Sequence, residues 1–134
     1  MIRITVYKTK SGEYRKFICD GHAGYADYGK DIVCAAVSAL VINTINSLEE
    51  IAGEPIQVEA DESSGRISCF FSQLQLRESS RVLMDSLTLG LGRIEAQYGR
   101  KHCKLTFEEV CHHGKYEPSI FRTQKGSRFH KKRT

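Results

Sequence analysis

Two side chains capable of nucleophilic chemistry stand on either side of a glycine-rich segment. His22 follows Gly21, and Cys34 lies twelve residues further along the chain. The segment between them is aperiodic and contains Gly24 and Gly29, which predicts a loop. An imidazole next to a thiol can take the thiol proton and leave a nucleophilic thiolate. The pair therefore indicates thiol chemistry, provided that the neighbouring elements bring the two side chains together.

The helix that follows this loop is expected to favour a thiolate at Cys34. Asp31 is a natural N-cap for a helix over residues 32–51, which places Cys34 at position N3 in the first turn. Unpaired backbone N–H groups and the positive end of the helix dipole favour an anion there. The charge on Asp31 offsets part of that field, so a cationic partner is needed, and His22 is the nearest candidate.

Helical spacing places Cys34 at the flank of the buried face. At 100° per residue, the centre of the apolar stripe falls roughly 60° from Cys34. Ser38 lies on the same flank one turn later, and Ala35 and Ala36 leave room for another chain to approach. The alternative is that Cys34 only packs and His22 only bonds to the backbone, and residue types alone do not decide between the two. The apolar positions of this helix are Val33, Val37, Leu40, Val41, Thr44, Leu48 and Ile51.

The elements around this pair predict an α+β domain over residues 1–110. Alternating residues predict two β-hairpins, each followed by a long helix, and a final strand. The order ββαββαβ is typical of a two-layer sandwich, with two helices packed on one face of a mainly antiparallel sheet. The second helix is expected to stop near Gly99. The predicted strands span residues 2–8, 13–19, 56–60, 66–71 and 103–109.

Composition restricts the class of protein further. The chain has 134 residues, of which 40% are hydrophobic and 27% are charged, as expected of one globular domain. Its five cysteines form no CxxC pair, and the N-terminus alternates instead of forming an apolar leader. We therefore expect thiols in a reducing cytoplasm, without a disulfide scaffold and without a membrane span.

The segment GHAGYADYGKDIVCAAVSALVINTINSLEEIAG resembles the hallmark of the bacterial ribosomal-processing cysteine protease family called Prp. That family has a Gly-His loop followed by the pattern G-x-D-x-V-C-A-A-V-S. Residues 87–110 are similar to its second helix and last strand, so the resemblance covers residues 1 to about 110. The matching positions are Gly21, His22, Gly29, Asp31, Val33, Cys34, Ala35, Ala36, Val37 and Ser38.

The resemblance implies a cysteine endopeptidase with Cys34 as nucleophile and His22 as general base. The implied substrate is the precursor of a large-subunit ribosomal protein of the L-twenty-seven type, cut after an aromatic residue to remove its N-terminal extension. Thiolate attack would give a thioester that water hydrolyses, with first-turn N–H groups near Cys34 stabilising the oxyanion. The resemblance also implies a homodimer and a mobile loop over the active site, and no cofactor is expected.

The rest of the motif is expected to support this chemistry. Asp31, Asp27 or a backbone carbonyl would orient His22, and we favour Asp31 as a helix cap over a third catalytic residue. The glycines would serve as pivots that let the loop clamp an extended peptide. Ser38 would bond to a loop group or to its own helix, without a catalytic role. The supporting positions are Gly21, Gly24, Gly29, Asp31 and Ser38.

Three other features leave alternatives open. Tyr25 and Tyr28 would either line a groove for an aromatic substrate side chain or cover the core. Residues 111–134 carry seven Lys or Arg and one Glu, which predicts a mobile tail that either contacts RNA weakly or is only solvated. The spacing of the remaining metal-type residues does not match a zinc site, so no metal is predicted. Those residues are His102, Cys103, Cys111, His112 and His113.

Two functions of another class compete with the protease. The first is a non-catalytic domain that binds the ribosome or RNA. The second is a different thiol enzyme, such as an acyl transferase or a redox sensor. A redox sensor needs a resolving cysteine near the reactive one. Cys19 is distant from Cys34 in sequence, so the chain alone does not show whether the two thiols meet.

Overall fold

The computed structural model describes residues 1–21, 28–61 and 63–111, with the backbone alone from 28 to 31. The predictions for His22, for Gly24 and for the tail beyond residue 111 lie outside these residues. Within them the order ββαββαβ is confirmed. The elements are β1 Ile2–Thr9, β2 Tyr14–Asp20, α1 Tyr28–Glu50, β3 Ile56–Asp61, β4 Arg66–Phe71, α2 Glu78–Tyr98 and β5 Cys103–Val110.

The five strands form one sheet in the order β3-β4-β2-β1-β5. β2 pairs antiparallel with β1 and β4, and β3 pairs antiparallel with β4. β5 lies parallel to β1 at the edge, because α2 carries the chain across the sheet before the last strand begins. The predicted, mainly antiparallel sheet is thus confirmed, with one parallel pair.

Strand register gives the sheet one apolar face that both helices cover. Ile4 stands opposite Cys19, and Val6 stands opposite Phe17, which in turn stands opposite Cys69. All of these side chains are buried and belong to a single core cluster with both helices. The helices contribute Val33, Val37, Val41, Ile45, Leu48, Met84, Leu87 and Leu91. Burying a side chain of this size stabilises the fold by about 1.5–3 kcal/mol.

The two helices pack closely at a glycine of α2. A Cβ at Gly90 would lie 2.8 Å from Cδ1 of Leu40 on α1, which is inside van der Waals contact. A Cβ at Gly92, on another side of the same helix, would meet nothing within 4 Å. The small residue at position 90 therefore sets how closely α2 approaches α1.

The start of α1 differs from the sequence prediction. The helix begins at Tyr28, so Asp31 is its fourth residue and not its N-cap, and Gly29 lies in the helix instead of the loop. The predicted capping role of Asp31 is therefore wrong. A single glycine costs a helix only about 1 kcal/mol, and acidic residues are favoured in a first turn. Nothing between residues 28 and 31 stops the helix from extending backward.

The other end of α1 is close to the predicted stop. The helix ends at Glu50, and Gly53 adopts a φ of +65°, a left-handed conformation typical of a helix C-terminus. Ile51 is 76% exposed and does not belong to the apolar stripe, whereas Ile45 is fully buried. The stripe therefore ends at Leu48, because the chain leaves the helical path before Ile51.

Candidate active site

Cys34 lies at the boundary between the core and the surface of α1. Its side chain is half-buried and packs against the core cluster. Val33 and Val37 are fully buried, whereas Ile32 and Ala35 are exposed. The predicted position at the flank of the buried face is confirmed. A thiol placed there is held by the core and still faces solvent.

The early start of α1 changes the electrostatic surroundings expected for Cys34. Cys34 is the seventh residue of the helix and not its third, so it lies beyond the first turn. Stabilisation of an anion by a helix N-terminus falls off within that turn. The Cα–Cβ bonds of a helix tilt toward its N-terminus, so a side chain lies closer to that end than its own Cα does. Part of the stabilisation of an anion is therefore retained at Cys34. The helix alone is therefore a weaker source of thiolate stabilisation than the sequence predicted.

The other cysteines have different environments. Burial is the largest cause that raises the pKa of Cys19 to about 12, and the charge on Asp20 is the next. Burial also raises the pKa of Cys69 and of Cys103. These three thiols stay protonated at neutral pH, and Cys111 is exposed beyond the last strand. Of the five cysteines, Cys34 combines anchoring in the core with access to solvent.

Gly21 controls how the chain leaves β2 toward His22. Its φ is +84°, a left-handed conformation that favours glycine. A Cβ at this position would come within 2.7 Å of the carbonyl oxygen of Met1. The sequence predicted a pivot here. The structure adds that the N-terminal residue packs directly against it.

The residue before Gly21 is fixed by an ion pair across the sheet. Nε of Arg66 donates to Oδ1 of Asp20 at 3.0 Å, and Nη2 donates to Oδ2 at 3.0 Å. This bond to Asp20 is the largest cause that raises the pKa of Arg66. The pair is partly exposed, so its contribution is to geometry more than to stability. It holds the end of β2 from which the His22 segment departs.

The core that Cys34 contacts contains a second cysteine near the end of β2. Cys19 is fully buried in the cluster against which Cys34 packs from α1. Ser38 lies one turn after Cys34 and is half-buried. The positions of His22, Gly24 and the Asp31 side chain lie outside the described residues.

Two further features bear on the class of site. Within residues 1–21, 28–61 and 63–111, no three His, Cys, Asp or Glu side chains come together to hold a metal ion. The span Ile32–Glu50 is long and apolar enough to cross a membrane, which the sequence analysis did not anticipate. The core helix of a folded domain meets the same criterion, and Val37 and Val41 of this helix are fully buried.

Comparison with known proteins gives consistent matches. The family model described as cysteine protease Prp matches residues 1–103. The ribosomal processing cysteine protease Prp of Bacillus subtilis (strain 168) is 28% identical over 101 residues, which cover 73% of this chain and 90% of the relative. The protein of the same name from Staphylococcus aureus (strain Mu50 / ATCC 700699) is 26% identical over 98 residues, covering 73% and 92%.

Solved structures share the fold. SMU.848 from Streptococcus mutans superposes with a TM-score of 0.75 at 29% identity, covering 82% of this chain and 96% of that chain. An essential ribosomal processing protease Prp from S. aureus, in complex with a substrate peptide, gives a TM-score of 0.71 at 22% identity, covering 81% and 100%. The same S. aureus protease with a covalently linked product peptide gives 0.72 at 24%, with the same coverage.

Proposed function

The chain belongs to the cysteine protease Prp family, and from this premise we propose that it trims a ribosomal protein precursor with Cys34 as nucleophile and His22 as general base. The substrate in this proposal is the precursor of a large-subunit ribosomal protein of the L-twenty-seven type. The enzyme removes the N-terminal extension of that precursor.

The position of Cys34 is the observation that carries this proposal. It stands in the segment that resembles the family hallmark, inside the residues that the family model matches. It is anchored in the core by α1 and remains accessible, as a nucleophile must be. The buried thiols of Cys19, Cys69 and Cys103 lack that access.

The mechanism follows from the two side chains. His22 takes the proton of Cys34, and the sulfur attacks the carbonyl carbon of the scissile peptide. His22 then passes the proton to the leaving amine, and water releases the acyl group from the thioester. Because Cys34 lies beyond the first turn of α1, the imidazole carries most of the activation. A peptide that closes the loop over the site brings His22 to the sulfur.

The enzyme is proposed to act as a homodimer in the cytoplasm. The outer face of α1 supports the dimer, since Ile32 is 45% exposed and Ala35 and Ala39 are also exposed. This outer face, defined by residues 32, 35 and 39, is small and apolar enough for two helices to approach closely. The buried thiols suit a reducing compartment.

The basic tail is proposed to make a weak contact with RNA. Its support is the charge of residues 111–134, seven Lys or Arg against one Glu. Phosphate neutralisation makes such binding steeply dependent on salt. A tail-truncated chain that binds ribosomal RNA as tightly and with the same salt dependence as the full chain would exclude the contact.

Cleavage of a defined precursor tests the proposed function. The full chain, Cys34→Ala and His22→Ala are each mixed with a precursor that carries the N-terminal extension, and the products are identified by mass spectrometry. Cys111→Ala is the matched control, because that cysteine is exposed outside the core. We expect cleavage by the full chain and by Cys111→Ala only. Equal cleavage by Cys34→Ala would exclude the assignment.

A further inference from the structure

The side of the sheet that faces away from the helices carries basic and aromatic side chains. Because Ile4 of β1 belongs to the core, alternation along the strand places Arg3 and Tyr7 on the opposite side. By the same rule Lys16 of β2 and Lys104 of β5 also lie on that side. Both helices cover the core side, and no described helix covers this back face, which is defined by residues 3, 5, 7, 16, 104 and 106.

Two cations stand directly opposite each other on the back face. Register pairs Arg3 with Lys104 on the parallel strands β1 and β5, which lie about 4.8 Å apart. Like charges in opposite positions destabilise a sheet. On its other side Arg3 faces Asp20, but both carboxylate oxygens of Asp20 accept hydrogen bonds from Arg66. In the described part of the chain no ion pair involves Arg3 or Lys104, so this pair fits an anion from outside.

An aromatic ring lies further along the same strand. Tyr7 follows Arg3 by four residues, or about 13 Å along β1. Nζ of Lys16 lies 4.5 Å from the centroid of the Tyr7 ring. A cation–π contact at an exposed site is weaker than the stacking of a nucleic-acid base on an aromatic ring. A base therefore displaces Lys16 from the ring, and the released ammonium is available to a phosphate.

The carboxylates of the sheet leave this part of the face basic. The row of side chains at the start of β1 contains three cations, Lys104, Arg3 and Arg66, and one carboxylate, Asp20. Glu108 is one residue of opposite charge, beside Tyr7 at the far end of β5. An acidic protein would match the cations alone, whereas a nucleic acid matches the cations with its phosphates and the ring with a base.

We propose that the back face binds a single strand of RNA, with phosphates at Arg3, Lys104 and Lys16 and a base stacked on Tyr7. This inference deepens the proposed RNA contact of the tail and rests on it for the choice of RNA over other nucleic acids. The strand lies along β1 and β5, whose polar side chains Thr5 and Thr106 separate the row of cations from the ring.

The path of this RNA continues toward the tail. The last residue of β5, Val110, pairs with Thr9 of β1, beyond Tyr7, and the basic residues of 111–134 follow it in the sequence. Cys34 packs against the core from the helix side of the sheet. Bound RNA is therefore separated from the thiol by the sheet, and we expect it not to compete with the peptide substrate.

The salt dependence of binding counts the phosphate contacts on the full chain. A fluorescent single-stranded uridine oligonucleotide of about 12 nucleotides is titrated by anisotropy between about 50 and 200 mM salt. Each neutralised phosphate adds about 0.7 to the slope of log K against log salt. Arg3→Gln combined with Lys104→Gln should therefore reduce the slope by about 1.4. Arg77→Gln combined with Arg93→Gln removes the same charge from exposed positions at α2 and should keep the slope.

Replacement of Tyr7 tests the stacked base. Tyr7→Leu should weaken binding about tenfold at every salt concentration without changing the slope. Tyr7→Phe keeps an aromatic ring and should bind as the full chain does. Tyr98→Leu removes an exposed tyrosine from α2 and is the matched control. Circular dichroism verifies that each variant is folded. Unweakened binding by Tyr7→Leu would overturn the assignment of a base to Tyr7.

The two double variants decide the proposal. An unchanged slope after Arg3→Gln with Lys104→Gln would overturn it and leave an acidic protein as the partner that the cations fit. An equal reduction in both double variants would also overturn it, because net charge would then hold the RNA. Precursor cleavage by the Arg3→Gln, Lys104→Gln chain should equal that of the full chain. A chain that binds RNA on this face and cleaves no precursor would refute the protease and leave this inference standing.

Discussion

At the scale of single residues, Gly21 couples the N-terminus of the chain to the segment that carries His22. Alanine at this position meets a left-handed backbone and the carbonyl oxygen of Met1 at 2.7 Å. Gly12 offers a matched control, since its φ is +96° but an added Cβ would meet nothing within 4 Å. The two positions therefore separate backbone strain from the contact with Met1.

We predict that Gly12→Ala and Gly21→Ala both lower the free energy of unfolding, by about 1–2 kcal/mol for the backbone strain alone. Gly21→Ala should lose more, because Met1 must also shift. It should in addition lower kcat/KM for precursor cleavage, whereas Gly12→Ala should leave kcat/KM unchanged. Thermal unfolding and cleavage kinetics measure the two effects. Equal cleavage by both variants would show that Gly21 does not position the His22 segment.

Cys19 also makes stability depend on alkaline pH. Burial raises its pKa to about 12 in the folded chain, from 9.0 in the unfolded chain. The folded state thus binds the proton more tightly, so this stabilisation is complete below pH 9 and is lost as the pH rises toward 12. Between these two pH values, the Cys19 thiol lowers the free energy of unfolding by up to about 1.4 kcal/mol for each pH unit.

The variant Cys19→Ala should therefore lose less stability than the full chain between pH 9 and pH 12. Urea denaturation at several pH values measures this slope. Cys111→Ala replaces an exposed cysteine and should keep the slope of the full chain. An identical slope in all three proteins would contradict the buried, protonated state of Cys19.

At the scale of elements, the approach of α2 to α1 depends on Gly90. Replacing a helical glycine by alanine stabilises a helix by about 1 kcal/mol when space is available. We predict that Gly92→Ala gains this amount, because a Cβ there is unobstructed. Gly90→Ala should gain less or destabilise, since its Cβ would contact Cδ1 of Leu40 at 2.8 Å. Denaturant unfolding compares the two variants.

A second substitution tests whether Leu40 is the cause. Leu40→Ala removes the contacting atom, so adding Gly90→Ala to it should restore the gain that is expected of a helix alanine. The two effects are then non-additive, as for residues in contact. Additive effects would show that something other than Leu40 limits the packing of the helices.

The sequence predicted those parts of the elements that depend on local patterns. Alternation within β1 and β2 is a property of each strand, so both hairpins and the element order were predicted correctly. Helix ends depend on local competition between nearly equal conformations, and this is why Tyr28 and not Ile32 begins α1. The N-terminus of α2 is beyond local prediction, because Glu54, distant in sequence, accepts a bond from the backbone N–H of Arg77 at 3.1 Å.

The candidate site also has a part that local sequence patterns predict and a part that depends on how distant elements pack. The boundary position of Cys34 was predictable, since helical periodicity decides which face of α1 is buried. The neighbourhood of Cys19 was not, because it requires β2 and α1 to pack in a particular register, which the separate patterns of the two elements do not define. Family resemblance, and not spacing, assigned roles to Cys34 and His22.

At the scale of the whole molecule, the outer face of α1 predicts association between two copies. Ala39→Glu places a charge at the C-terminal end of this exposed apolar face, one turn beyond Cys34. We expect the variant to be monomeric by light scattering at concentrations where the full chain is a dimer. Leu89→Glu, at a side chain of α2 that is 58% exposed, is the matched control and should stay dimeric. A dimer that survives Ala39→Glu would place the interface elsewhere.

The covalent intermediate is the most direct test of the central claim, that the Cys34 sulfur attacks the peptide carbonyl after His22 has taken its proton. The full chain is mixed with precursor, quenched in acid within the first turnover, digested and analysed by mass spectrometry. We predict an acyl adduct on the tryptic peptide of residues 31–66, in which Cys34 is the cysteine, and we expect hydroxylamine to remove it. The adduct should be retained in Cys111→Ala and lost in His22→Ala. Precursor cleavage without an adduct on Cys34, or with the adduct on another cysteine, would contradict this account.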